Sequence, residues 1–386
     1  MYLFVRIKAI LLGVALATSA NARSEDLQPL LTSLKAVGRE GSGNVEAARA
    51  WRKLSKADAS ALPEILTAWD NADPTAANWL RTAVDVIAQR TLAAKKPLPV
   101  FELEAFVRQP NHNGAARRLA YEWLVRVDPA APSRLLSGML NDPSLEMRRD
   151  AIAVAIKDGQ TLVGKDKDAG RKAFEKALTA ARDRDQVEAL NVELKKLGAP
   201  VDLAKHFNFV QSWSLIGPFD NSKGKGFDKA YPPETGVDLQ ATYEGKKGST
   251  IRWTPGVTVD PFGMVDLNKQ VGKHMGAVAY AFAEVESTEA RPVQIRVGSN
   301  NAVKIYLNGK PLFAREEYHH GIEMDQYVGQ GELKAGKNQL LLKVCQNEQT
   351  DSWAQLWSFQ LRLTDAVGGA IPVRVVAATP SQKEKP

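Results

Sequence analysis

The chain has 386 residues, of which 44% are hydrophobic and 25% are charged, so it can bury a sizeable core and is not disordered throughout. At about 150 residues per domain, this length indicates two or three domains. The 51 Lys and Arg residues exceed the 44 Asp and Glu residues only slightly. Spread over so large a surface, that surplus does not create the focused basic field of a nucleic-acid-binding protein, and we predict no nucleic-acid partner.

The first 22 residues have the pattern of a secretory signal peptide. Arg6 and Lys8 precede the 12-residue apolar run Ala9–Ala20, which ends in the A-x-A cleavage site Ala20-Asn21-Ala22. The run is shorter than the roughly 18 to 20 apolar residues that a membrane-spanning helix requires. We therefore predict cleavage after Ala22, a periplasmic or secreted mature protein, and no membrane span after signal cleavage.

Residues 25–157 have apolar side chains three or four positions apart, which predicts helices. One motif, a Pro followed by Arg and a short apolar stretch, occurs three times, after Pro74, Pro110 and Pro143. If equivalent positions are aligned, the copies are 37 and 31 residues apart, at Ala83, Ala120 and Ala151. A period of this size is typical of stacked helical hairpins.

The third copy lies within Leu135–Ile152 and resembles a HEAT repeat, in which the turn between two helices is followed by an Arg at the start of the second helix. The resemblance implies a HEAT-like α-solenoid over the whole of this helical region, with a ladder of turn carboxylates and Arg side chains between neighbouring repeats. Here the ladder would involve Asp142 with Arg149 and, as a poorer match, Asp73 with Arg81. The helical array would present a surface to a protein partner.

Residues 158–204 are predicted to form a linker and a helical hairpin. The charged stretch from Lys157 to Gly170 interrupts the helical pattern and indicates a loop. Two amphipathic stripes follow it. Gly198 and Pro200 end the second, because Gly accepts a left-handed conformation and Pro cannot extend the helix.

After residue 205 the spacing of apolar residues changes from about 3.6 to 2, which predicts strands. Within Ala277–Val285, large side chains alternate with small Ala residues. Asn308-Gly309 supplies the two positive-φ residues of a type I′ hairpin. About eight short strands separated by turns predict an antiparallel β-sandwich over residues 205–366. Residues 367–386, rich in Gly, Pro and Lys, are predicted to be a flexible tail.

Several motifs of this half occur in an ordered series, among them Trp213–Asn221, Gly298-Ser299, Lys304–Lys310 and Gly336–Asn338. The series resembles the galactose-binding-like jelly roll of secreted bacterial proteins, which often lies beside helical repeats and also occurs as a non-catalytic sugar-binding domain of large glycosidases. The resemblance covers roughly residues 207–365 and implies a jelly-roll fold. Family members commonly carry two Asp after the Gly-Ser, whereas this chain has Asn300-Asn301. We therefore predict no metal and no other cofactor.

Five residues of the β half are candidate ligand-binding residues. Sugar-binding modules stack exposed rings on the C–H face of a pyranose, and amide groups can hydrogen-bond to the hydroxyl groups of the sugar. Trp213 and Trp357 lie in apolar, strand-like runs and are predicted to be core residues. Trp353 follows the polar loop Glu348–Ser352 and is the ring that we expect to be exposed. The predicted ligand-facing set is Asn300, Asn301, Tyr318, His319 and Trp353.

Patterns that would indicate an enzyme are weak in this chain. A glycosidase needs two carboxylates across a sugar, and the available residues are Glu234, Asp266, Glu316, Glu317 and Asp325. Adjacent Glu316 and Glu317 would point to opposite faces of a strand and could not share one substrate. The segment His319–Asp325 lacks a recognised metal-ligand spacing.

The sequence as a whole predicts an exported, non-catalytic binding protein. Its β half would recognise a carbohydrate or another cell-envelope component, and its helical half would contact a protein. Two alternatives stay open. One is a purely structural or scaffolding protein without a small ligand, and the other is an accessory to, or a divergent member of, the glycoside hydrolases.

Overall fold

The computed structural model describes residues 21–376. They divide into two compact units, one that ends at Glu193 and one that begins at Leu194. Most of the predicted signal peptide, residues 1–20, and the last part of the predicted tail, residues 377–386, lie outside the described residues. Within residues 21–376, none of the helices has both the length and the apolar composition needed to cross a bilayer.

The first unit is built from helices joined by short connections, and buried apolar side chains between Leu31 and Ala151 form one core. The helices are α1 Asn21–Lys35, α2 Asn44–Leu54, α3 Leu62–Thr67, α4 Pro74–Ala93, α5 Val100–Arg108, α6 Gly114–Val127, α7 Ala131–Leu136, α8 Leu145–Val163, α9 Lys167–Ala180 and α10 Arg184–Lys196. Asp73, which the predicted ladder pairs with Arg81, instead caps α4 by accepting hydrogen bonds from the backbone N–H groups of Thr75 and Ala76.

The connection between α8 and α9 is much shorter than the predicted loop from Lys157 to Gly170. Helix α8 continues to Val163 and α9 begins at Lys167. A Cβ at Gly159 would lie 2.5 Å from the Phe174 ring, and a Cβ at Gly170 would lie 2.3 Å from the Val163 side chain. These glycines therefore permit close packing of the two helices, which is why the segment is helical although its composition is typical of a loop.

Two Arg–Asp links connect successive parts of the helical unit, but the predicted pair of Asp142 with Arg149 is wrong. Arg117 of α6 donates two hydrogen bonds of 2.7 Å to the carboxylate of Asp142, which precedes α8. Arg149 of α8 binds Asp183 and Asp185, at the start of α10. Arg149 has a different partner because the buried Arg117 already occupies both oxygens of Asp142.

The second unit contains two antiparallel sheets that share one hydrophobic core. The strands are β1 Ser212–Asp220, β2 Thr242–Glu244, β3 Thr250–Arg252, β4 Thr254–Val257, β5 Val265–Asp266, β6 Ala277–Ser287, β7 Arg291–Ser299, β8 Ala302–Leu307, β9 Lys310–Arg315, β10 Tyr327–Leu333, β11 Gly336–Gln346, β12 Ser358–Thr364 and β13 Val373–Val376. The larger sheet has the order β4-β1-β6-β11-β8-β9, with β13 also on β6, and the smaller has the order β10-β7-β12-β5. Strands β2 and β3 form a separate hairpin.

The short helices of this unit are α11 Leu203–Phe207, α12 Pro232–Thr235 and α13 Leu267–Gln270. Helix α11 packs on the sheets. The Phe207 ring lies 5.5 Å from the Arg362 guanidinium of β12 and 6.0 Å from the Phe262 ring.

The alternation predicted within Ala277–Val285 is confirmed in β6. Its small Ala side chains face the core between the sheets, whereas Val278, Tyr280 and Phe282 face a second core on the outer side of the larger sheet. Residues 221–253, which we call the cover segment, close this outer core with apolar side chains such as Tyr231 and Trp253.

The turn between β8 and β9 was predicted from the sequence, whereas the pairing of β13 with β6 was not. Asn308 and Gly309, with φ of 52° and 76°, join β8 to β9 as predicted. Val373–Val376 lies in the predicted tail but pairs with Glu284–Ser287 of β6. Strand β1 pairs only with the first part of β6, so β13 hydrogen-bonds to backbone groups that β1 leaves unpaired.

Candidate functional site

Two loops of the β unit bring together the aromatic residues of the predicted site. Tyr318 and His319 lie between β9 and β10, and Trp353 lies between β11 and β12. The His319 ring is perpendicular to the Trp353 ring at a centroid distance of 5.6 Å and lies 6.2 Å from the Tyr318 ring. Trp353 is 61% exposed, in agreement with the prediction. We call the surface formed by Tyr318, His319 and Trp353 the aromatic platform.

His319 is held in place through both its backbone and its ring. Its φ of 58° is uncommon for a residue other than glycine. Its backbone N–H donates to Oδ1 of Asn301 at 3.1 Å, and its Nε2 lies 2.6 Å from Oδ1 of Asn347. Because an amide oxygen only accepts, Nε2 carries the hydrogen, and Nδ1 of the neutral ring is left as an acceptor.

Asn300 and Asn301 lie at the site, and both side chains are buried. The Nδ2 of Asn300 donates to the His320 carbonyl at 3.3 Å, and its Oδ1 accepts from the Ser358 hydroxyl. The Nδ2 of Asn301 donates to the Leu356 carbonyl at 2.7 Å. The amides of the two residues are used to hold the loops, and their contact with a ligand stays a prediction.

Replacing Asn301 by Ala is accordingly expected to cost about 1–3 kcal/mol of stability, because buried backbone groups lose their partners. It should also loosen both loops of the aromatic platform. Chemical unfolding of the full chain and hydrogen exchange at residues 316–320 and 352–356 would measure the two effects. Asn78→Ala is the matched control, since it removes an exposed Asn side chain in the helical unit and should change stability by no more than about 0.5 kcal/mol. Normal stability and protection in Asn301→Ala would contradict this assignment.

Tyr318 adds a neutral hydroxyl group to the platform. Its oxygen accepts from Nδ2 of Asn221 at 3.3 Å and lies 3.3 Å from Oε1 of Glu316. Burial is the largest effect on its pKa, which lies well above the usual value for tyrosine. The hydroxyl group therefore stays protonated, its hydrogen is donated to Glu316, and its oxygen can still accept.

Sequence reasoning missed Leu356, which is 62% exposed and lies three residues after Trp353. Its backbone carbonyl is the acceptor for Asn301, so the loop is fixed close to the exposed side chain. In the sequence, Leu356 adjoins the apolar residue Trp357 and reads as the beginning of a strand. Trp213 and Trp357 are both buried, as predicted.

The carboxylates that a glycosidase would need are used in separate clusters. Asp325 accepts from Nη1 of Arg296 and Nε of Arg362, each at 2.6 Å. Burial raises the pKa of Asp325, but the two guanidinium groups more than offset this and keep it below the usual value. Glu234 lies on the outer face of the larger sheet, bound to Lys343. Across residues 21–376, no group of three or more His, Cys, Asp or Glu side chains is arranged to hold a metal.

No protein-family model and no curated protein matches the chain. Among solved structures, it is similar to an anti-sigma factor domain-containing protein (13% identity, TM-score 0.26, covering 44% of this chain and 46% of that one). It is also similar to a family 35 carbohydrate-binding module from an environmental isolate (15% identity, TM-score 0.17, covering 26% and 75%). A third is the PA14 domain of the MpAFP antifreeze protein (14% identity, TM-score 0.20, covering 40% and 64%). The chain thus spans about half of the first of these proteins, and scores this low identify neither its fold nor its ligand.

Proposed function

We propose that the chain is an exported, non-catalytic carbohydrate-binding protein whose β unit binds a glycan at the aromatic platform. The observation that supports this function is the exposed Trp353 ring, which lies beside His319 on loops that buried Asn side chains hold in place. Trp353 and Leu356 are exposed apolar side chains within four residues of one loop, and a group of exposed apolar side chains is more informative about binding than a single one.

The chemistry of the platform suits a sugar ring. The indole of Trp353, extended by Leu356, offers an apolar surface for the C–H face of a pyranose. The Tyr318 hydroxyl and Nδ1 of His319 can hydrogen-bond to the hydroxyl groups at the ring edge. Because hydrogen bonds already order both loops, little conformational entropy is lost when a ligand binds.

We further propose that the two sheets form a galactose-binding-like jelly roll and that the helices form a HEAT-like α-solenoid that contacts a protein partner. The link of Arg117 to Asp142 spans 25 residues and that of Arg149 to Asp185 spans 36, which supports a ladder between repeats. The A-x-A site after the apolar run supports export to the compartment in which cell-envelope glycans occur.

Replacing Trp353 by Ala is expected to weaken glycan binding at least tenfold, equivalent to about 1.4 kcal/mol, without unfolding the protein. A glycan array with the full chain would identify the ligand, and titration calorimetry would give its affinity for each variant. Phe101→Ala is the matched control, because it removes a ring that is 82% exposed in the helical unit. Its affinity should equal that of the wild type.

Two results would overturn this function. If Trp353→Ala binds like the wild type, the aromatic platform is not the site. If the wild type binds no glycan at millimolar concentrations, the scaffolding alternative is favoured. Release of free sugar during incubation with a bound glycan would instead favour a divergent glycoside hydrolase.

A further inference from the structure

A second concave site lies on the outer face of the larger sheet, where residues 233–237 of the cover segment lie beside the β8–β9 hairpin. It is a cleft with a volume of about 160 Å³. We call it the Glu234 cleft, and the residues that matter here are Glu234, Phe282, Tyr306, Gln339 and Leu341. It is distant from the aromatic platform. Gln339 and Gln346 are seven residues apart in β11, roughly 24 Å at about 3.4 Å per residue, and the platform lies beyond Gln346.

Glu234 and Tyr306 form the polar wall of the cleft. The carboxylate of Glu234 has one acceptor position that no described residue uses. Oε1 of Glu234 accepts from Nζ of Lys343 at 2.8 Å and from the Tyr280 hydroxyl. Among the described residues, Oε2 accepts only from the Tyr306 hydroxyl. Because two carboxylate oxygens offer about four acceptor positions, one position on Oε2 stays open beside Tyr306.

Neither Lys343 nor Tyr306 has a hydrogen left to donate to a ligand. Nζ of Lys343 donates to the carbonyl oxygens of Phe227 and Lys229 as well as to Glu234, which uses its three hydrogens. The hydroxyl hydrogen of Tyr306 is used by Glu234, whereas its oxygen can still accept. A ligand that satisfies this wall must therefore donate hydrogen bonds.

The wall carries no net charge that would select a cation. The Glu234 carboxylate and the fully buried Lys343 ammonium form an ion pair. Burial raises the pKa of Glu234, but the hydrogen bonds from Lys343, Tyr280 and Tyr306 lower it by more, so the group stays ionised. The pair therefore favours a neutral donor, such as a hydroxyl group, over an ammonium group.

The floor and the size of the cleft favour one ring. Phe282 and Leu341 provide an apolar floor. A cavity of about 150 Å³ accommodates benzene, so this cleft matches a single six-membered ring. The amide of Gln339 lies at the exposed rim, where it can donate or accept.

We propose that the Glu234 cleft is a second binding site of this protein, for one hydroxylated six-membered ring of the monosaccharide class. One face of the ring packs on Phe282, and two of its hydroxyl groups donate to Oε2 of Glu234 and to the Tyr306 oxygen. The site does not require the aromatic platform.

Saturation-transfer NMR on the full chain with D-glucose, D-galactose and cyclohexylammonium as probes would test the site. We would use Trp353→Ala as the background, so that the result is separate from that of the platform. At least one sugar should bind at millimolar concentrations. Gln339→Trp, which places a large ring at the rim, should weaken binding at least tenfold. Lys337→Trp is the matched control on the same strand and the same exposed face, outside the cleft, and should bind normally.

A second variant covers the case in which Gln339→Trp perturbs the sheet. Tyr306→Phe keeps the ring but removes both the accepting oxygen and the hydroxyl hydrogen that Glu234 accepts. The ring hydroxyl that donates to Tyr306 then has no partner there, so binding should also weaken while thermal melts report an intact fold. The proposal is overturned if neither sugar binds, if Gln339→Trp and Lys337→Trp bind equally, or if only cyclohexylammonium binds. None of these results bears on the aromatic platform, which the background variant lacks.

Discussion

Replacing Lys343 by Met is expected to lower the free energy needed to open the cover segment by about 3–5 kcal/mol. Removing one partner of a buried ion pair leaves the other charge uncompensated. The Lys343 side chain is fully buried, and it binds Glu234 together with the carbonyl oxygens of Phe227 and Lys229. All three partners belong to the cover segment, so one side chain of β11 connects that segment to the sheet.

Hydrogen exchange of the full chain measures this opening directly, because each segment reports its own free energy. Amides of residues 221–253 should exchange faster by about two to three and a half powers of ten, at about 1.4 kcal/mol per power. Strands β7 and β12 should keep their protection. The double variant Lys343→Met/Glu234→Gln should recover part of the loss, since no unpaired charge remains. Unchanged exchange in Lys343→Met would show that the cover segment is held without this ion pair.

The same ion pair makes the cover segment sensitive to acid. The folded pKa of Glu234 lies below its usual value, since the hydrogen bonds it accepts outweigh the effect of its burial. A group whose pKa is lowered by folding contributes its full stabilisation above the unfolded pKa and loses it as the pH falls through the folded pKa. We therefore expect the difference between wild type and Lys343→Met to be constant near neutral pH. Without Lys343, burial raises the pKa of Glu234 in the variant, so the difference should begin to shrink as the pH falls through that raised pKa. The wild type itself loses the stabilisation of its ion pair only below the usual pKa of glutamate.

Replacing Arg117 by Met is expected to destabilise the helical unit by about 3–5 kcal/mol, for the same physical reason. The Arg117 side chain is 1% exposed and that of Asp142 7%. Besides its two bonds to Asp142, Arg117 donates to the Val107 carbonyl at 2.9 Å. The variant would leave a buried carboxylate and a buried carbonyl without their partner.

Arg149→Met is the matched control, because Arg149 makes the same kind of link at a position where its side chain is 44% exposed. Exposed ion pairs contribute about 0.2–1 kcal/mol, so this variant should lose little. Chemical unfolding followed by the helical circular dichroism signal would compare the two. Equal losses would mean that burial does not decide the strength of these links.

The candidate site could be predicted only in part. Trp353 follows a polar loop, and its exposure could be expected from its neighbours in the sequence. Asn300 and Asn301 also follow a strand, but their amides are buried and hydrogen-bonded to distant segments. The partners are the Ser358 hydroxyl and the backbone carbonyl groups of His320 and Leu356. Whether a loop side chain is exposed, like Trp353, or buried, like Asn300 and Asn301, depends on these distant segments. The residues next to it in the sequence do not decide it.

By itself, the sequence determined the classes of element and several of their ends. The change of period near residue 205 separates helices from strands, the alternation in β6 sorts its two faces, and Asn308-Gly309 sets a hairpin. These features follow from backbone sterics and from neighbours within a few residues, so a local pattern contains them. Only the tertiary structure decided the partners of the buried charges. Lys343 meets Glu234 across 109 residues and Arg117 meets Asp142 across 25. A charge taken out of water must find a partner, but which partner lies within reach is decided by how distant segments pack.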